Sequence, residues 1–209
     1  MEFQSQKGTT ERILEAAGEL FAESGFQDTS IRDICARANV NLAAVNYHFR
    51  DKEGLYEAIL LQSFEQIQRA YPFELTGECP EKDLEVFVRM LMFRLLGKGR
   101  PALHGKLMAA EMSSPTGALD KLCEEAIRPT HELLVGIIRA IVGEAPENDL
   151  NDLAASILGQ CLFYKHAQPV IIRLRGAIPV EDHEIEALAR QITSFSLAGI
   201  EKYRITHEQ

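Results

Sequence analysis

Apolar residues recur three and four apart along nearly the whole chain, and no stretch alternates convincingly with a period of two. That spacing predicts amphipathic helices. "TERILEAAGELFAESG" places Ile13, Leu14, Ala17, Leu20 and Phe21 on one face, with Thr9 or Thr10 available to cap the start and Gly25 to close the end. "DTSIRDICARA" predicts a second, short helix with Ile31, Ile34, Cys35 and Ala38 inward. Ser30 and Asp33 form a capping box if Ser30 is the cap, and Thr29 is an equal candidate. Asn39 falls where a tight turn between helices needs a left-handed residue. Asn41 is a good N-cap for a third helix over 42–48, and a fourth over 51–70 carries Leu55, Tyr56, Ile59, Leu60, Phe64 and Ile67 on one face.

Pro72 ends that helix, and "PFELTGECPEKD" is a linker and the candidate boundary between domains 1–70 and 71–209. Beyond it the helical spacing continues. Leu84, Phe87, Val88, Leu91, Met92 and Leu95 form one stripe, broken by "GKGRP", and a short helix over 102–112 stops at "SSPTG". Residues 118–142 predict a helix kinked or divided at Pro129. Two more stripes follow, Leu150 to Cys161 and Ile185 to Gly199. The fold class is all-α.

The third helix is poorly suited to a core. "NLAAVNYHF" has two alanines and then Asn46, Tyr47 and His48 in a row. Three short helices, the last two joined by a turn of about four residues, describe a helix-turn-helix, whose last helix enters the major groove of DNA. Val45 and Phe49, four apart, hold the helix to its scaffold. Leu42, Ala43, Ala44, Asn46 and Tyr47 then face outward, with Asn41 at their head. Small apolar groups admit close approach and meet thymine methyls, an amide pairs with adenine in bidentate fashion, and a phenol reaches phosphate or base.

Residues 9–60 resemble the DNA-binding domain of the TetR family of transcriptional regulators. The likeness rests on Ile13, Ala16, Ala17 and Phe21, then Gly25, Thr29, Ile34, Val40, the His48–Phe49 pair, and Lys52–Glu53 with Leu55. Two positions depart from the family pattern: Asn39 replaces the usual turn glycine, and Asn46 stands where a tyrosine is frequent, with Tyr47 following. The wording "NLAAVNYHF" with "KEGLY" resembles the CecR-like subgroup. By position, the resemblance adds Arg32 as a base or phosphate contact and Lys52 as a phosphate contact. It also implies a homodimer that binds an inverted-repeat operator of double-stranded DNA, acts most simply as a repressor, and is released by a small-molecule effector.

The charge pattern limits how such a protein holds DNA. The net charge is −9, and residues 1–58 carry six basic against ten acidic side chains, or −4. Affinity therefore needs a focused face rather than bulk attraction. Arg37 reads as a solvated residue, and Glu11, Glu15, Glu19 and Glu23 as a solvated stripe. Cys35, Cys79, Cys123 and Cys161 have neither zinc nor disulfide-framework spacing and read as small apolar groups in a reducing compartment. No apolar run is long enough for a membrane span and no secretory leader is evident, so the expected location is cytoplasmic.

Within 71–209, Met and aromatic side chains suit an effector cavity. The candidates are Met108, Met112, His131, Phe163, Tyr164 and His166. Ile157, Cys161, Ile192, Phe195 and Gly199, on the last two stripes, are candidates for a two-fold interface, the small residues allowing close approach. The histidines lack metal-ligand spacing, "GKGRP" lacks the Gly-Lys-Ser/Thr ending of a phosphate loop, and no nucleophile–base pair is present. No metal, cofactor or enzymatic activity is expected. A constitutive DNA-organising protein is the competing class, and an all-helical enzyme a remote third.

Overall fold

The computed structural model describes residues 8–98 and 102–207, and for Ala102 and residues 205–207 the backbone alone. Its helices are α1 (Thr9–Asp28), α2 (Ile31–Ala38), α3 (Leu42–Phe49), α4 (Lys52–Ala70), α5 (Pro80–Leu96), α6 (Ala102–Ser113), α7 (Ala118–Leu122), α8 (Arg128–Val142), α9 (Glu147–His166), α10 (Gln168–Arg175) and α11 (Asp182–His207). A π-helical turn, Cys123–Ile127, joins α7 to α8. Among the described residues there is no β-strand, and the fold is all-α.

Two compact units divide the chain: Met1–Gln66 with Pro101–Ile127, and Ile67–Arg100 with Arg128–Gln209. The division falls inside α4 rather than in the 72–83 linker. It also gives 101–127 to the first unit, where chain order alone assigns it to the second. The reason is packing. Leu107, Ala118, Leu122 and Ala126 are buried in one cluster with Ile13, Ala17, Phe21, Ile34, Val45, Leu55, Tyr56 and Ile59. An apolar face goes where its area is removed from water, whatever its distance along the chain.

The helix ends of the first unit follow from local chemistry. Gly8, not Thr9 or Thr10, occupies the N-cap of α1, and no side chain caps it. Gly25 interrupts α1 with φ 78° and ψ 173°, a conformation open only to glycine. Ser30 is the cap of α2: its hydroxyl oxygen accepts the Asp33 N–H at 3.2 Å and its hydroxyl donates to the Asp33 carboxylate at 2.6 Å. Thr29 has another task. It is buried, and its hydroxyl lies 2.7 Å from the Gly25 carbonyl and 3.2 Å from that of Leu20. Asn39 is left-handed as expected, φ 53° and ψ 54°, and ends α2.

The second unit has its own core, built from Leu84, Phe87, Val88 and Met92 of α5, Leu134 and Ile138 of α8, Leu150, Ala154, Ile157 and Cys161 of α9, and Ile185, Ala189 and Ile192 of α11. α9 and α11 are further joined by hydrogen bonds from Gln160 to Ser196 (3.2 Å) and from Tyr203 to Asp149 (2.6 Å). At Pro129 the chain is divided as the sequence suggests. Proline has no N–H for the carbonyl four residues back, and the wider π turn just before it takes up the mismatch. α10 has no apolar stripe to announce it: Ile171 is buried, but its apolar neighbours Val170, Ile172 and Leu174 are all exposed. The "GKGRP" break falls mostly on 99–101, outside the described residues.

α3 meets α4 in a turn with two unusual features. Arg50 has φ 69° and ψ −61°, and the Asp51 N–H donates to the Phe49 carbonyl at 2.8 Å. This is the strained, positive-φ form of γ-turn. The same carbonyl lies only 2.4 Å from where a Cβ on residue 54 would stand, so Gly54 is required for α4 to begin so close to α3. Gly54→Ala is expected to destabilise the protein by roughly 1 to 3 kcal/mol, as overpacking against backbone does. Urea unfolding followed by circular dichroism measures it, and an unchanged midpoint would show that the turn relaxes freely.

Candidate nucleic-acid interface

α3 is held by its head, its inner face and its tail. At the head, Asn41 accepts the Ala44 N–H at 2.9 Å. On the inner face Val45 is fully buried and Phe49 partly so, as expected. Ala44 turns inward as well and packs against the same core, which removes it from the outward set. At the tail, His48 Nδ1 lies 3.3 Å from the Thr10 hydroxyl, tying α3 to the first turn of α1.

What remains outward is one stripe. Leu42, Ala43, Asn46 and Tyr47 are all exposed, Tyr47 by 85 % and Leu42 by 52 %. Arg50, just beyond the end of α3, is exposed as well, its side chain by 84 %. Positions 42, 43, 46 and 47 are spaced by one, three and four, so they share one helical face; Arg50 follows as the non-helical cap of α3. An exposed apolar, amide and phenol stripe ending in a guanidinium has little use in water and every chemical type needed at base edges and phosphates.

Residues 13–59 match the family described as bacterial regulatory proteins, tetR family, and residues 80–200 match the C-terminal domain of the HTH-type transcriptional dual regulator CecR. The chain belongs to the TetR family of transcriptional regulators. A relative over most of its length is the dual regulator CecR of Shigella flexneri, 25% identical over 194 residues, 87% of this chain and 86% of that protein. The regulator UidR of Escherichia coli is 41% identical, but over 58 residues, 28% of this chain and 30% of its own. Among solved structures, the flavonoid-responsive regulator FrrA superposes with a TM-score of 0.68 at 22% identity, covering 91% of this chain and 96% of that one. PfmR of Thermus thermophilus gives 0.60 at 22%, covering 91% and 96%. These two likenesses show the fold alone.

In this TetR-family chain Lys52 is placed differently from the resemblance. Its ammonium donates to three carbonyls, Phe26 (2.8 Å), Thr29 (3.1 Å) and Gln27 (3.3 Å), and lies 4.4 Å from the Phe26 ring centre. An ammonium has three N–H donors, and all three are in use. Lys52 therefore closes the end of α1 and is not poised for a phosphate. Arg12 bonds the Ala38 carbonyl at 3.2 Å, and Arg37 pairs with Glu23 and Glu19 at 3.4 and 3.6 Å. Of the basic side chains in residues 8–58, Arg32 and Arg50 are then the exposed ones left for phosphates, Arg50 only loosely paired with Asp51 at 3.9 Å. Arg50 was absent from the sequence-derived set because nothing in sequence announces a positive φ at an arginine.

The effector candidates fall in both units. Met108 and Met112 belong to the first unit, the one packed on its core and the other exposed; His131, Phe163, Tyr164 and His166 belong to the second, with His166 exposed. Phe163 and Tyr164 do come together, in an open groove of about 460 Å³ on α9 and α11 that also takes in Gly159, Gln160, Ile192 and Phe195. The interface candidates divide. Ile157, Cys161 and Ile192 are buried in their own unit's core, Ile192 at the floor of that groove. Burial pushes the Cys161 thiol up to about 12, so it stays protonated and inert. Phe195, 72 % exposed, and Gly199 do face outward, and Leu162 and Phe163 of α9 join them.

Lys52→Met, which keeps the stem over Phe26 and removes the charge, is expected to lower stability by about 2 kcal/mol through the orphaned carbonyls. The salt dependence of DNA binding should stay as it was. A drop in its slope of about 0.9 with an unchanged melting temperature would return Lys52 to the phosphates.

Proposed function

We propose that the protein is a homodimeric repressor that binds an inverted-repeat operator through α3 and is released by a small-molecule effector in its second unit. The observation that carries the DNA-binding half is the outward stripe Leu42, Ala43, Asn46 and Tyr47 on a helix anchored from behind by Val45, with the exposed Arg50 just after its end. Asn46 is the residue for adenine, Leu42 and Ala43 for thymine methyls, and Tyr47, Arg32 and Arg50 for the backbone. The location is cytoplasmic, in keeping with DNA as partner; no helix among the described residues is long and apolar enough to cross a membrane.

The dimer follows from an information argument. One helix reads a few base pairs, too few to select a site among the million or more competitors of a genome. Two helices fixed about 34 to 36 Å apart read enough, and a modest change in that separation breaks several contacts at once. Phe195, Gly199, Leu162 and Phe163 form the outward apolar patch that a two-fold contact between α9 and α11 of each subunit would cover. The name of the Shigella flexneri relative, a dual regulator, makes activation at some promoters the alternative outcome of a transcription assay.

Two measurements test this reading. Selection of bound sequences from a random duplex pool should return an inverted repeat, and Asn46→Ala should weaken binding to it by about 1 to 3 kcal/mol while relaxing preference at specific base pairs. Equal affinity for all duplexes at physiological salt would instead favour a constitutive DNA-organising protein. For the dimer, Phe195→Glu should give a helical monomer in sedimentation that no longer binds operator, because the contact would bury an unpaired carboxylate. Persistence of the dimer at micromolar concentration would place the subunit contact elsewhere.

A further inference from the structure

The second unit holds a buried cation with no counter-charge among the described residues. Arg94 of α5 is 8 % exposed. Its Nε–H donates to the Tyr71 carbonyl at 2.8 Å, and its Cζ lies 3.7 Å above the centre of the Phe73 ring. No carboxylate among the described residues pairs with it, and burial is the sole cause that lowers its pKa, to about 10. Neither terminal nitrogen is among the sealed side-chain nitrogens that lack a partner, although neither has one, so each keeps an opening.

Such an arrangement is costly, because a desolvated charge without a counter-charge is among the least favourable things a core can contain. Holding the Tyr71 carbonyl needs a single donor, which a neutral amide supplies. The guanidinium brings four further N–H donors in a rigid plane, and the ring beneath it fixes that plane. The surroundings are aromatic. Phe73 stacks on Phe87 with centres 4.6 Å apart and planes 10° apart, and Tyr71 stacks on Phe93 at 5.9 Å and 20°.

We propose that Arg94 is the anchor of an oxyanion site in the second unit, and that the ligand it takes is a small molecule carrying a carboxylate on a flat apolar body. The two terminal nitrogens present the parallel pair of N–H groups that a carboxylate accepts in bidentate fashion. Desolvation strengthens that pairing, and the ligand's charge offsets the cost of burying the guanidinium. The aromatic rings beside it favour a flat body over a branched one. The inference rests on the reading that the second unit answers a small molecule, and it adds the chemical class of that molecule.

The probes are benzoate, 1-naphthoate and their neutral amides, with inorganic phosphate and sulfate to separate a carboxylate preference from general anion binding. Calorimetric titration is run on the wild-type chain, Arg94→Gln and Arg94→Lys, with helical circular dichroism confirming that each variant is folded. Saturable binding of a carboxylate is expected in the wild type, absent for its amide and at least about thirtyfold weaker in Arg94→Gln, the loss that follows removal of one partner of a buried charge pair. Arg94→Lys, which keeps a charge and loses the fork, should fall between the two. Undiminished binding in Arg94→Gln, binding of the amides equal to that of the acids, or no saturable binding of either carboxylate would overturn the proposal. Phosphate or sulfate binding more tightly than both carboxylates would also overturn the assigned class. Operator binding, measured without probes on the same preparations, separates this outcome from the DNA-binding reading: a wild type that binds carboxylate but no DNA would sink only the latter.

Discussion

A helix that stops inside a protein leaves carbonyls with no N–H to meet, and the first unit must resolve this where α1 ends beside α2 and α4. It does so with one ammonium. Lys52, the first residue of α4, donates to the carbonyls of Phe26, Gln27 and Thr29. The Thr29 hydroxyl meets two more, those of Gly25 and Leu20. Because Lys52 stands three residues after Phe49, fixing it against α1 also fixes where α3 must finish. The interval is spanned by Arg50 at positive φ, by the Asp51 N–H on the Phe49 carbonyl, and by the missing side chain of Gly54. The placement of the outward stripe of α3 is thus set from behind by polar bonds to backbone, and these tolerate far less displacement than apolar contacts.

Helix positions were legible in the sequence wherever the apolar face was continuous, because that face is also what buries them. α1, α2, α4, α5, α9 and α11 are of this kind, as are the cap at Asn41 and the left-handed Asn39. Roles that depend on where a long side chain turns were not legible. Lys52 and Arg37 are both basic and both near α3, yet one serves carbonyls and the other two glutamates. Spacing does not carry that choice, because four rotatable bonds let the charge go to whichever partner the fold brings near. The same limit applies to the interface stripe, where Ile192 is buried in its own core while Phe195, three residues on, is exposed. A helix with apolar residues on two faces states that something covers both, and leaves open which face the domain itself covers.

The acidic balance of the chain takes on a definite shape in the fold. Glu19 and Glu23 hold Arg37 on the side of α2, Glu57 meets Lys121 at 3.4 Å, and Glu111 is fully buried, bonded by the N–H and hydroxyl of Thr116 and by the Tyr56 phenol. Burial first, and Glu111 second, hold that phenol protonated well above its usual range. Exposed pairs of this kind contribute little stability. Their effect is on charge placement: these four acids are occupied with internal partners, while the outward stripe of α3 contains no acid between Leu42 and Arg50. A protein of net charge −9 can then present a locally neutral-to-basic surface, and long-range repulsion from DNA becomes a filter against weak, non-specific binding.

The buried Glu111 also explains why 101–127 packs with the first unit. Tyr56 of α4 lies in the centre of that core, against Phe21 at 4.9 Å and Phe26 at 5.0 Å, with its hydroxyl left to be satisfied. A buried phenol needs an acceptor, and none of α1 to α3 supplies one. Glu111, near the end of α6, does, and its remaining lone pairs are filled by Thr116 in the turn that leads to α7. Removing the carboxylate would strand three donors, whereas removing the phenol would leave the carboxylate still held by Thr116. The dependence is therefore unequal: the first unit needs the α6–α7 turn more than the turn needs Tyr56. A contiguous stretch of chain ending at residue 70 lacks that acceptor, and this is the physical reason the unit that presents α3 is assembled from two separate segments.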